Sequence, residues 1–335
     1  MRSTQPTGFL PVFAALVGNV FITSIKFAGF WFTGSSSMFS EAVHGIADTG
    51  NQALLMFGIK RSLKKADEKF QYGFGQERFF WALISACGIF FLGAGVTMYH
   101  GLTALYSQEH VATHPIVFGI LFVSLIIELA TLTFAYREMK MQSGQNEFLD
   151  VIAMGDPSTL AVIYEDAVAV AGSVIAAVSI ALTKLTGNPV WDAIGSIIIG
   201  ILLAVIAIVL IKKNREYLLK KAMPAHLEEI VIDLLSAEPA IEKVIDFKSS
   251  VLDIDVYSIT CEVEFNGSEL LKEMNKFGEL RCSFEDVRED YSDFFRFCIE
   301  LTDRSPRVLG TKINEIEKRI RDAVPQVRHI DIEIN

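Results

Sequence analysis

Residues 34–52 read GSSSMFSEAVHGIADTGNQ. Read as a helix, Glu41, His44 and Asp48 stand at i, i+3 and i+7, so all three share one face. The stretch around them, about 37–59, has membrane-spanning length. An ionisable side chain inside a span costs several kcal/mol unless it has a partner or a task. His44 and Asp48, four residues apart, can hold one metal ion from a single helix, as two histidines do in H-E-x-x-H.

Outward from this stretch the chain divides in composition. Of 335 residues, 51% are apolar and the mean hydropathy is +0.38, above the usual range for soluble domains. Residues 1–212 carry 14 acidic and 12 basic side chains, whereas residues 213–335 carry 26 and 18. The front is charge-poor, and its apolar runs give six expected spans at about 8–32, 37–59, 78–105, 115–136, 160–184 and 190–212. The acidic tail argues against nucleic-acid binding. Cys87, Cys261, Cys282 and Cys298 are scattered without a C-x-x-C pair, so they read as reduced thiols rather than a zinc knuckle or disulfide framework.

The short loops set an orientation. Lys60, Arg61, Lys64, Lys65, Lys69 and Arg78 join spans 2 and 3; Arg137 and Lys140 join spans 4 and 5; Lys212, Lys213 and Arg215 follow span 6. The opposite loops are nearly bare of lysine and arginine. The positive-inside rule then puts both termini in the cytoplasm or its equivalent. The location is a bacterial inner membrane or an organelle membrane.

After Pro224, residues 225–237 have the pattern of an amphipathic helix. Residues 243–249, 254–265 and 327–334 alternate as strands, and 308–323 reads as a second helix. Between them lies a charged, aromatic insert at 267–306. The expected fold is a membrane all-α six-helix bundle, residues 1–212, followed by a C-terminal α+β, ferredoxin-like domain, residues 213–335.

Span 5 adds adjacent carboxylates, Glu165 and Asp166. Neighbours on a helix point about 100° apart, so they cannot both face one ion. Asp166 lies on the face shared with Val170 and Ser173 and is assigned to the ion; Glu165 is a supporting or proton-handling group. Glu128 and Lys26 pair with each other or snorkel to the interface. Asp192 opens span 6. His100, His110 and His114 lie near the bare loops, and His329, Asp331 and Glu333 share one face of the last strand.

Residues 34–48, together with YGFGQERF at 72–79, resemble the second helix and the following loop of the cation diffusion facilitators. Glu165-Asp166, the GNPVWD run at 187–192 and the VRHIDIE ending at 327–333 resemble a divergent branch of that family that includes a mitochondrial zinc transporter. The resemblance implies exchange of a divalent cation, most often zinc, for protons by a homodimer. It also marks a departure: Val162 stands where many members have a fifth-helix histidine.

These readings combine into a membrane antiporter, not an enzyme, with no resident cofactor. Its substrates are a divalent metal and protons, and its surroundings are membrane lipid. His44, Asp48 and Asp166 are three ligands, and Glu41, Glu165 or a water completes the shell. Zinc suits such N/O sites; manganese, iron and cobalt are alternatives. The rival class is a membrane-anchored scaffold with a degenerate transport site, and retention of all three ligands argues against it.

Overall fold

A computed structural model of the protein describes residues 9–107, 116–143, 157–275, 287 and 290–335. His110 and His114, and Phe277 and Phe284 of the insert, lie outside them. The chain divides into two compact units, Met1–Leu219 and Lys220–Asn335.

Among its described residues the first unit consists of helices and the loops between them. It comprises α1 (Phe9–Thr33), α2 (Ser36–Ser62), α3 (Glu77–Gly88), α4 (Gly95–Ser107), α5 (Ile116–Ser143), α6 (Pro157–Thr186) and α7 (Val190–Leu218). A π-helical turn, Ile89–Ala94, joins α3 to α4 and packs against α2 and α7. The tight link from α1 to α2 uses Gly34, whose φ of 68° suits a residue without Cβ; its N–H bonds to the Phe30 carbonyl at 2.8 Å. Inward, Met38, Leu55, Ile59, Leu160, Val162, Ile180, Ile199 and Leu203 form one buried core. Outward, Phe21, Phe32, Phe91, Leu92 and Phe122 are exposed, as expected of side chains that face lipid rather than water. Trp31 and Tyr106 stand exposed near helix ends, where amphipathic rings suit the headgroup region.

Five helical stretches among the described residues are long and apolar enough to cross a membrane: Val12–Thr33, Glu77–Tyr106, Phe118–Met141, Thr159–Thr186 and Val190–Leu218. The second of the six expected spans is the difference. Helix α2 has the length, but Glu41, His44, Asp48, Asn51, Gln52, Lys60 and Arg61 reduce its apolar character. Most of that polarity is turned inward: Glu41, His44, Asp48, Asn51 and Gln52 are all buried.

The second unit has α8 (Ala225–Ser236), β1 (Ile241–Asp253), β2 (Val256–Phe265), α9 (Gly267–Met274), α10 (Tyr291–Ala323) and β3 (Val327–Ile334). The sheet order is β1-β2-β3, with β1 and β2 antiparallel and β2 and β3 parallel. Alternation along β2 buries Tyr257, Ile259, Cys261 and Val263. Helix α8 packs on β1 and α10 on β3, and these helices bury Val231, Leu235, Ile316 and Ile320. Burial, with help from Asp331 and Glu333, pushes the Cys261 thiol up to about 11, so it behaves as an inert core side chain. Glu238, buried at the end of α8, pairs with Lys312 at 3.2 Å and with Arg319, both of α10.

The segment expected as an insert, 267–306, is partly helical among its described residues. The helix expected at 308–323 starts at Tyr291 and runs through Pro306, so the later part of the supposed insert is helix. Asp290 caps it by accepting from the Ser292 N–H at 3.1 Å, and Arg307 bonds Asp303 at 2.6 Å across the proline. These local bonds offset the donor that proline removes.

Candidate metal site

The N-terminal end of α2 is pinned by Asp192 of α7. The Asp192 carboxylate accepts from Ser35 Oγ at 3.0 Å and from the Ser37 N–H at 3.2 Å. Ser37 Oγ donates to the Asp192 carbonyl at 2.9 Å. A carboxylate at a helix N-terminus satisfies orphan N–H groups and suits the helix dipole. Asp192 is thus a cap. Deeper along α2, the Ser40 and Ser196 hydroxyls form a short hydrogen bond.

With α2 fixed in rotation, its polar face enters the interior. His44 is 1% and Asp48 4% exposed. His44 Nε2 lies 3.2 Å from Asp48 Oδ2, the contact that i, i+4 spacing provides. Helix α6 packs on α2 and brings Glu165 and Asp166, both buried. Gln52 Nε2 donates to Glu165 Oε2 at 3.1 Å, and Thr131 of α5 lies near Asp166. Asp48 feels the charges of both Glu165 and Asp166.

Several polar atoms here have no hydrogen-bond partner although they are buried: His44 Nδ1, Asp48 Oδ1, Glu165 Oε1 and Asp166 Oδ2. Buried polar groups are normally paired, so these are oxygens and a nitrogen available to a cation. They do not form a closed cage. Among the described residues, no three His, Cys, Asp or Glu side chains converge tightly enough to hold an ion. Val162, one turn before Asp166, is fully buried.

Glu41 is engaged elsewhere. Its Oε2 accepts from Lys26 Nζ at 2.5 Å, and Lys26 also donates to Glu128 Oε1 at 2.6 Å. The expected pairing of Lys26 with Glu128 is present, with Glu41 as its third member. His100 stacks on Phe39 at 4.0 Å. Gln52 was not singled out by sequence reasoning; its spacing of four from Asp48 is the signal that points to it.

The Cation efflux transmembrane domain matches residues 12–219. The chain belongs to the cation efflux family. Metal tolerance protein C4 of Arabidopsis thaliana is 34% identical over 96% of the chain and 72% of its own length. The proton-coupled zinc antiporter SLC30A9, mitochondrial, of Homo sapiens is 33% identical over 96% of the chain. The chain spans 58% of that relative's length. Magnetosome protein MamB of a Magnetospira strain is 29% identical over 52% of the chain. This member of the cation efflux family is a multi-pass membrane protein of a transporter family, and its five apolar stretches agree with that.

Proposed function

We propose that the chain exchanges a divalent metal ion, zinc first, for protons across a membrane by alternating access. The observation that carries this reading is the buried His44–Asp48 pair facing the carboxylates of α6. The zinc and proton coupling in the names of the mitochondrial relatives supports this reading. Neutral His44, Asp48 and Asp166 supply three ligands, and Glu165 or water the fourth; zinc accepts such a shell. Glu41 stands outside it, because Lys26 holds it. Manganese, iron and cobalt are the competing cargoes.

Coupling follows from competition. Metal requires ionised carboxylates and a neutral imidazole, so protons and metal contend for the same atoms. Helix α2 completes a set of six spans, shielded by its neighbours, around a site near mid-membrane. Both termini lie on the cytoplasmic side, or its equivalent in an organelle, by the loop charges. The test is metal uptake into proteoliposomes under an imposed pH gradient, across zinc, manganese, iron, cobalt and cadmium. Zinc uptake driven by the gradient is expected; no movement of any metal overturns the reading.

Residues 220–335 are expected to fold alone and self-associate into the dimer that supports transport. Their sheet and helices close one core of their own. Sedimentation across a concentration series checks this, and a monomer at every concentration contradicts it.

Val162→His is expected to tighten zinc relative to manganese. The position lies one turn from Asp166 on the same face, and imidazole suits zinc while manganese prefers oxygen. The larger side chain enters a packed core, at about 1–3 kcal/mol. Paired zinc and manganese affinities decide: an unchanged ratio means that position 162 does not face the ion.

A further inference from the structure

Four helices of the first unit meet at a second charged cluster. Lys26 of α1 is 1% exposed. Its Nζ donates to Glu41 Oε2 of α2 at 2.5 Å, to Glu128 Oε1 of α5 at 2.6 Å and to Ser173 Oγ of α6 at 3.3 Å. Ser173 Oγ in turn lies 3.2 Å from Glu41 Oε2 and 2.9 Å from Glu128 Oε2. All four side chains are buried.

Two counts fail to balance in this cluster. The first is charge. One ammonium faces two carboxylates, which leaves one net negative charge where burial makes an uncompensated ion costly. The second is hydrogens. A serine hydroxyl carries one hydrogen, yet Ser173 Oγ sits at bonding distance from two carboxylate oxygens. It donates to only one of them. The other contact becomes a hydrogen bond only when that carboxyl carries a proton and donates to Oγ.

A single added proton settles both counts. Placed on Glu128 Oε2, it donates to Ser173 Oγ. Ser173 then donates to Glu41 Oε2, and Lys26 still serves Glu41 Oε2 and Glu128 Oε1. Glu41 keeps its charge opposite the ammonium. Gly172 makes room for the other Glu41 oxygen: a Cβ there would stand 2.6 Å from Oε1.

We infer that Lys26, Glu41, Glu128 and Ser173 form a proton-binding site, separate from the metal ligands, that holds one exchangeable proton on Glu128. The charged and titratable groups around Glu128 are Lys26 on α1, Glu41, His44 and Asp48 on α2, and Asp166 on α6. A dication at His44 and Asp48 adds positive charge within reach of Glu128 and favours its ionised form. The carboxylic acid then becomes a carboxylate, and its proton leaves to water. Metal entry expels a proton that never occupied a metal ligand. This coupling rests on the metal–proton exchange proposed above; the proton site itself does not.

The test is infrared difference spectroscopy on the full chain in lipid, with two arms. In the metal-free arm, raising the pH is expected to remove the carbonyl band of a protonated carboxyl. In the second arm, zinc at constant pH removes the same band. Glu128→Gln is expected to abolish the band in both arms and, because zinc and the proton oppose each other reciprocally, to weaken zinc binding roughly tenfold. It also releases about one proton fewer per zinc bound. Glu128→Asp keeps the band at a shifted frequency. A band that Glu128→Gln leaves unchanged overturns the inference. If Glu128→Gln does not fold, Glu128→Asp decides, and an unshifted band overturns it. If zinc fails to bind while the metal-free band behaves as expected, the proton site holds and the metal reading falls.

Discussion

Alanine at His44, Asp48 or Asp166 is expected to abolish metal transport while the chain still folds and inserts. Each residue contributes an atom that has no hydrogen-bond partner within the protein: His44 Nδ1, Asp48 Oδ1 and Asp166 Oδ2. Removing such groups takes away little native pairing, so stability changes less than for a well-packed core side chain. Loss of a ligand is another matter. The three protein ligands proposed above leave no spare member, and each truncation is expected to weaken metal binding on the order of 100-fold, about 2.7 kcal/mol. Metal flux in proteoliposomes and thermal unfolding in micelles are measured on the same preparations. Near-wild-type flux from any one variant removes that residue from the site. Val170→Ala, on the Asp166 face but without a ligating atom, serves as the control.

What the sequence made legible follows from which signals are local. Runs of apolar residues marked the long helices, because span length is a local property. The same holds for β3, where VRHIDIEI alternates without interruption and Val327–Ile334 is a strand. Glu41, His44 and Asp48 were recognisable as a buried polar face for the same reason: spacing along one helix is local. Their division of labour was not. Lys26 and Glu128 lie 102 residues apart, and no spacing rule says that Glu41 joins them while His44 turns to Asp48. Asp192 looked like one more ionisable group in a span; its capping bonds to Ser35 and Ser37 link residues more than 150 apart. The π-helical turn at Ile89–Ala94 left no trace, since one extra residue per turn in a uniformly apolar run changes no visible pattern. The first half of α10 was hidden by Pro306, which reads as a breaker until the Asp303–Arg307 pair beside it is seen.

Lys26→Met is expected to destabilise the helical unit by about 3–5 kcal/mol, the usual cost of removing one partner from a buried charged set. Methionine matches the length of the lysine stem, so packing changes little and the effect isolates the charge. Without the ammonium, Ser173 is the one donor left to Glu41 among the described residues, in a site that is 0% exposed. Because Lys26 ties α1 to α2, α5 and α6 at once, the loss is felt as loosening of four helices and not as local fraying. Replacing the whole set is a different operation from breaking it. Lys26→Met combined with Glu41→Gln and Glu128→Gln leaves no buried ion, and amides retain hydrogen bonds to Ser173, so the triple variant is expected to recover most of the lost stability. Thermal unfolding in micelles reads both steps. A Lys26→Met protein that melts with the wild type shows that the cluster carries no net ionic tie. A triple variant no more stable than Lys26→Met shows that the lysine acts through packing.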